Sequence, residues 1–211
     1  MLNIDLNNLQ EAITIENSII EAEEHEEDVN NLIFRNCEEE NVLADGIEIR
    51  KSKFLDCKCQ ESKFIHCDFT NIIFENCDFS NCNFNNSNFV NVQFKNCKML
   101  GCSLIETYFN NVDILNCNFM YANFSNSNLK KLNIEGTNLS NSNISEAKLK
   151  EIILSENNLR QAQLFKTNLN KIDFRTCDIE GITVDISNLK GMIVNEFQAI
   201  NLAKLLGIVI K

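Results

Sequence analysis

The sequence predicts an all-β fold, a parallel β-helix with four sides, on the strength of three observations. The first is a period of five. From Ser62 to Gly191 the chain reads SKFIH, CDFTN, IIFEN, CDFSN, CNFNN and onward in phase. The third residue of each block, from Phe64 through Phe84, Leu104, Ile144 and Phe174 to Leu189, is apolar in all 26 blocks. At the overall apolar fraction of 44%, such a run would arise on the order of once in a billion sequences. The second observation is a period of twenty. The first residue of a block is usually small, as at Cys67, Cys77, Ser87 and Ala122. Up to Gly181 it is bulky only at Ile72, Val92, Val112, Leu132, Ile152 and Ile172, each 20 residues from the next. The third is what a period of five excludes. It matches neither the 3.6 of a helix nor the 2 of a strand, so the chain must turn every few residues. One coil is therefore four blocks, and stacked coils pair their backbones at ~4.7–4.9 Å. Each coil buries four large central side chains and four smaller ones, which fills the interior.

The elements follow in order. Residues 1–33 read as an acidic N-terminal cap or first coil. Within them Ile13–Ile20 (ITIENSII) is β-branched and roughly alternating, which suggests a capping strand or an irregular coil. Glu21–Asp28 (EAEEHEED) reads as a solvated loop. Residues 34–194 form the repeat. Its phase starts at Phe34, loses definition at Glu39 and Ala44 without losing count, and returns at Ile49 and Phe54. Residues 195–211 leave the repeat. Asn195 and Gln198 have the spacing of a capping box, Phe197, Ile200, Ala203 and Leu206 fall at helical spacing, and Gly207 suits a C-cap. Ile208–Ile210 reads as a β-type tail. This segment serves either as a cover for the last coil or as a dimer interface through Phe197, Ile200, Ala203, Leu206, Ile208 and Ile210.

Charge is unevenly placed. Of the 30 acidic and 19 basic residues, fourteen acids and only Arg35 and Arg50 lie in residues 1–50, a net of −12; the remainder nets +1. A strongly acidic end disfavours direct binding to nucleic acid and suits a basic partner surface. Glu23, Glu24, Glu26 and Glu27 are its densest candidates. The start MLNIDLNNLQ lacks the basic stretch and apolar core of a secretory signal, and no apolar run reaches 18 residues. No membrane contact and a cytoplasmic location are the expectations, with the ten cysteines as reduced thiols.

Cys37, Cys57, Cys77, Cys97, Cys117 and Cys177 share one column at multiples of 20. Coil spacing lies within disulfide reach, but inward thiols also act as small apolar fillers interchangeable with Ala and Ser. Cys57, Cys59, His66 and Cys67 superficially suggest zinc, yet the phase turns Cys67 inward and His66 to an outward corner. No phosphate loop or HExxH motif occurs, and His25 and His66 are the only imidazoles. The chain therefore reads as a non-enzyme without cofactor or metal. Outward apolar residues are densest between Leu100 and Tyr121: Leu100, Ile105, Tyr108, Leu115, Met120 and Tyr121 lie on successive sides of neighbouring coils and form a candidate partner surface.

Both periods, with Asn or Asp frequent at the second position (Asp68, Asp78, Asn83, Asn88, Asn123, Asn128, Asn138, Asn143), resemble the pentapeptide-repeat family, whose blocks look like A(D/N)Lxx. The resemblance covers about four-fifths of the chain and implies a right-handed quadrilateral β-helix. The ending VNEFQAINLAKLLGIVIK is similar to that of the quinolone-resistance (Qnr) group, the likeness being carried by Gln198, Ala199, Ile200, Leu206 and Gly207. It implies a homodimer joined through this segment. It further implies binding to DNA gyrase or topoisomerase IV, protecting them from quinolones, with the rod imitating duplex DNA. Two departures stand against this. The unbroken register leaves no room for the paired surface loops of some members, and the rod beyond residue 50 is nearly neutral. The alternative is an interaction scaffold, or a self-immunity factor against another gyrase poison, with no quinolone role.

Overall fold

The corners set the fold. In the computed structural model, which describes residues 2, 4, 6–25 and 27–209, the fifth residue of nearly every block has a positive φ, from 53° at His66 through 59° at Asn71 to 64° at Lys171. Left-handed backbone costs most residues ~1–2 kcal/mol, and Asn and Gly least. That is why Asn fills 71, 76, 81, 86, 91 and 96 and Gly fills 101, 136 and 181. Corner asparagines also stack. The Asn91 amide donates to Asn71 Oδ1 at 3.1 Å and that of Asn111 to Asn91 Oδ1 at 2.8 Å. At Gly101 a Cβ would sit 2.7 Å from Asn81 Oδ1, so a side chain there would require the Asn81 amide to shift.

Between corners the wall takes one of two forms. On two sides the chain is extended, and near the N-terminus a third side is too, where Leu43–Asp45 and Lys63–Ile65 pair as a separate two-stranded sheet. The strands are β1 (Gln10–Glu11), β2 (Val29–Asn30), β3 (Leu32–Arg35), β4 (Leu43–Asp45), β5 (Glu48–Arg50), β6 (Lys53–Leu55) and β7 (Lys63–Ile65), followed by five of eight residues: β8 (Asp68–Glu75), β9 (Asn88–Lys95), β10 (Tyr108–Leu115), β11 (Asn128–Glu135) and β12 (Lys148–Ser155). The eight-residue strands pair in parallel at a register of twenty, Phe69 with Phe89 and Ile114 with Ile134. On the other two sides a second-position Asn or Asp accepts from the backbone N–H two residues on, as Asn83 Oδ1 does from Asn85 at 2.9 Å and Asn118 Oδ1 from Met120 at 3.1 Å. These side-chain turns explain the Asn/Asp preference at that position.

The core is one continuous column. Phenylalanines stack coil upon coil: Phe34 on Phe54 at 4.5 Å between ring centres, Phe69 on Phe89 at 4.9 Å, and Phe89 on Phe109 at 4.7 Å. All ten cysteines are free and buried. Their thiols lie against carbonyls of the preceding coil, Cys82 Sγ 2.8 Å from the Cys59 oxygen and Cys102 Sγ 2.8 Å from that of Phe79.

The N-terminal reading needs correction. Ile13–Ile20 is neither strand nor coil, and the acidic run after it is not all loop: Ile15–His25 is a helix, α1. Ile15, Ile19 and Ala22 fall on one buried face. Thr14 Oγ1 caps the Asn17 amide at 3.1 Å, and the Glu39 carboxylate accepts from the amides of Ile15 and Glu16 at 3.0 Å. This accounts for the loss of phase at Glu39: the residue leaves the core to cap α1, whose charge preference at that end favours an anion. The coil around it stays paired, Leu43–Asp45 with Lys63–Ile65.

At the other end, Asn195 and Gln198 form the expected capping box on α2 (Glu196–Ala203), and Gly207 closes the following turn at φ 73°. Ile208 and Val209 form no strand. Ile210 and Glu26 lie outside the described residues, as does the side chain of Leu206.

One stretch of wall is unpaired. Throughout the rod, third- and fifth-position amides donate to the following coil, as in Leu104 to Asn123 O and Glu106 to Ser125 O. Among the described residues, the corresponding amides of Leu149, Glu151 and Leu154 on β12 meet no backbone acceptor in residues 168–175. The other two sides of the same coils stay joined, Asn158 to Asp178 and Gln163 to Thr183. The cause is a change of wall type. Asn168 Oδ1 accepts from the Asn170 amide at 2.9 Å and Asp173 Oδ1 from that of Arg175 at 3.0 Å, so this coil turns where β12 runs straight. Lys148 and Ile153, at the equivalent positions of β12, have no side-chain oxygen with which to turn.

Candidate binding surfaces

Apart from one small apolar void the interior is filled with side chains, so the candidate surfaces lie on the outside. Burial pushes the Cys67 thiol up to about 11 and those of Cys37 and Cys82 up to about 12, so these sulfurs are protonated at neutral pH. The His66 ring lies away from Cys67, with Nδ1 2.8 Å from Asp45 Oδ1. No group of three or more metal-binding side chains forms among the described residues.

The acidic end is ordered by α1. Glu23, Glu24 and Glu27 are exposed, the first two on the helix and the third just beyond it. Its carboxylates therefore project from a packed element.

The mid-rod cluster divides. Leu100, Met120 and Tyr121 share one side, and Ile105 lies on the next. Tyr121 is 57% exposed and holds a left-handed corner, φ 61°, in a column that also runs through Glu61, Asn81, Gly101, Asn141 and Gln161. A bulky residue in that conformation stores strain of order 1 kcal/mol or more, the kind of cost met at functional positions. Tyr108 opens β10, half-buried, on a third side. Leu115, expected to be exposed, is 6% exposed, and so is Asp113 beside it on the outer face of β10. The cover comes from far away in sequence. The Leu2 amide donates to Asp113 Oδ2 at 2.6 Å, while Gln10 pairs with Leu32 in the first coil. Leu2, Ile4, Leu6 and Leu9, all half-buried, thus lie along the outside of the sheet as a strap. Leu115 is a buried residue under this strap and not part of an exposed surface.

The C-terminal helix α2 turns an apolar stripe outward. It docks through Gln198, which is buried and donates from Nε2 to the carbonyls of Phe174 at 2.9 Å and Cys177 at 2.7 Å, with Leu202 packed on the core. Phe197, 70% exposed, and Ile200, 43% exposed, point outward with Leu205, Ile208 and Val209, while Ala203 is half-buried. Sequence spacing had found the helix but not which stripe covers the coil. The second hydrogen-bonding role of Gln198 was the signal missed.

Comparison with known proteins bears on the repeat. A model of the pentapeptide repeat region matches residues 67–144, and one of eight copies of the pentapeptide repeat matches 142–181. Together they span 67–181 without a gap. The chain is a pentapeptide-repeat protein. Among solved structures, this pentapeptide-repeat protein is similar to full-length QnrB1, described as a plasmid-mediated fluoroquinolone resistance protein (18% identity, 95% of this chain and 100% of that one, TM-score 0.49). It is also similar to HetL, described as involved in heterocyst differentiation regulation, from Nostoc sp. strain PCC 7120 (14% identity, 84% and 96%, TM-score 0.39). A third is Rfr23 from Cyanothece 51142 (15% identity, 85% and 99%, TM-score 0.35). No curated protein sequence matches the chain. No helix among the described residues is long and apolar enough to cross a membrane.

Proposed function

We propose that this pentapeptide-repeat protein is a non-enzymatic, homodimeric binding rod that engages DNA gyrase or topoisomerase IV and protects it from quinolones. The outward apolar stripe of α2 carries the proposal. Phe197, Ile200, Leu205, Ile208 and Val209 expose more greasy surface than a cap requires, and they lie on the stretch whose sequence is similar to the Qnr group. Joining two copies there would set the two acidic ends at opposite extremes of one elongated body. Exposed carboxylates of Glu23, Glu24 and Glu27 would then steer approach to a basic surface, with Leu100, Ile105, Met120 and Tyr121 as apolar anchors. The near-neutral charge beyond residue 50 favours, as a second reading, a general protein-binding scaffold over a mimic of uniform negative charge.

The test is gyrase supercoiling under ciprofloxacin. The intact protein should restore supercoiling, and Leu100→Ser with Tyr121→Ser should abolish the rescue. Phe197→Glu with Ile200→Glu should sediment as a monomer. Absence of rescue by a protein that sediments as a dimer leaves the scaffold reading.

A further inference from the structure

We propose that the unpaired edge of β12 is a β-strand acceptor site for an extended, acidic segment of a partner protein. The edge is eight residues long, Lys148–Ser155, in the upper part of the rod. Both coils that flank the opening are otherwise held, β12 to β11 below and the Asp173 coil to Ile193 above. The amides of Leu149, Glu151 and Leu154 form a row without backbone acceptors among the described residues. Backbone donors in such a row are the feature that strand addition satisfies.

Behind the edge the core is incompletely filled. Leu149, Ile152 and Leu154, whose counterparts Phe109, Val112 and Ile114 are fully buried two coils earlier, are each partly exposed. They line, with Leu129, Leu164, Phe174 and other apolar side chains, a cavity of about 40 Å³. A void of that size with no polar lining does not hold water stably; an apolar side chain entering from the edge fills it. The inward residues of β12 fix the pattern of the incoming strand: apolar at its second, fifth and seventh positions, the spacing of Leu149, Ile152 and Leu154.

Charge fixes the remaining positions. Lys148 and Lys150 point outward at the first and third positions of β12, Lys130 and Lys131 lie one coil below, and Lys171 lies on the upper lip. Lys148 and Lys171 make no ion pair among the described residues, and Lys150 reaches only Glu151, at 3.9 Å. In a chain of net charge −11 this is a local cationic strip, and it selects an acidic strand over a basic one. The two joined sides act as the hinge on which the lips part.

The experiment uses amide hydrogen exchange on the full-length protein, with the peptide Asp-Leu-Glu-Asn-Ile-Thr-Leu-Glu as probe and Lys-Leu-Lys-Asn-Ile-Thr-Leu-Lys as its charge-reversed control. Free protein should exchange the amides of Leu149, Glu151 and Leu154 about 100-fold faster than those of Leu129, Lys131 and Ile134, which occupy the same places one coil earlier. The acidic probe should slow the first set, and the basic control should bind about tenfold more weakly. Lys148→Glu with Lys150→Glu, two exposed changes, should reverse that preference. The proposal is overturned if the β12 amides are already as protected as their counterparts, if neither peptide slows them, or if charge reversal leaves the order of the two peptides unchanged.

Discussion

The lower rod, around Phe64 to Phe124, and the upper rod, around Leu129 to Phe174, follow one repeat and differ in how tightly it closes. In the lower part, aromatic rings fill most third positions, Met99, Leu104 and Ile114 excepted, and stack at 4.7–5.3 Å in three of the four columns, as in Phe64 on Phe84 and Phe74 on Phe94. Every extended wall there finds its partner one coil on. In the upper part, Leu and Ile take the same positions, a void remains, and one half of the wall comes apart between β12 and the next coil. The difference teaches that an apolar third position suffices to define a coil, and that β11 and β12 pair without rings between them, whereas joining one wall to the next also needs the same wall geometry in adjacent coils.

The largest test of that contrast is a buried charge. Phe84→Asp places a carboxylate without a partner in the stacked column, at a cost of at least several kcal/mol, and the protein should fail to fold. Leu149→Asp, at a lip already open to water and near Lys148 and Lys150, should give a folded protein with a lowered melting temperature. Equal melting of the two variants would erase the distinction between the regions.

A second test uses alkali. The Cys67 and Cys82 thiols ionise at 9.0 when unperturbed but are raised by burial to about 11 and about 12 in the folded rod. Their contribution is fully present below pH 9 and is lost as the pH climbs through the folded values, at about 1 kcal/mol per pH unit per thiol. Denaturant midpoints should therefore fall from pH 9 upward. Cys67→Ala with Cys82→Ala should lessen that fall, the other buried thiols whose ionisation is raised keeping the rest, and a slope unchanged by the double substitution would place its origin elsewhere.

The smallest effect concerns a corner. Tyr121→Asn should relieve left-handed strain and raise stability by about 1 kcal/mol, a gain of roughly 2–4 °C in melting temperature for a chain of this size. If Tyr121 anchors a partner, the same variant binds worse while melting higher. A variant that melts lower would mean that the tyrosine packs on the surface more than it strains.

Much of this was legible in the sequence because the interior repeats. Each coil sees the same surroundings, so a period of twenty in the first-position residues translated directly into side chains facing inward. What was not legible depends on contacts between distant or dissimilar parts. The α1 segment reads as strand because Ile13–Ile20 is β-branched, and its helix is secured by Glu39 from the following coil. Leu115 reads as exposed because the strap that covers it is more than a hundred residues earlier. The open wall requires knowing that Asn168 and Asp173 turn their coil while Lys148 and Ile153 leave theirs extended. Which face of α2 docks was not legible because Gln198, not an apolar residue, is its deepest side chain.

The left-handed corner every five residues has a consequence for how such a chain tolerates changes in length. Removing twenty consecutive residues from the closed part takes out one whole rung, and everything above drops by ~4.8 Å with its orientation kept. Removing five residues leaves the inward pattern in phase but swings everything above through a quarter turn. The acidic helix at one end and the apolar helix at the other would then face directions 90° apart from their present relation, on a rod whose cross-section has hardly changed. Angle and distance between its two ends are therefore set independently, by the count of blocks and the count of coils.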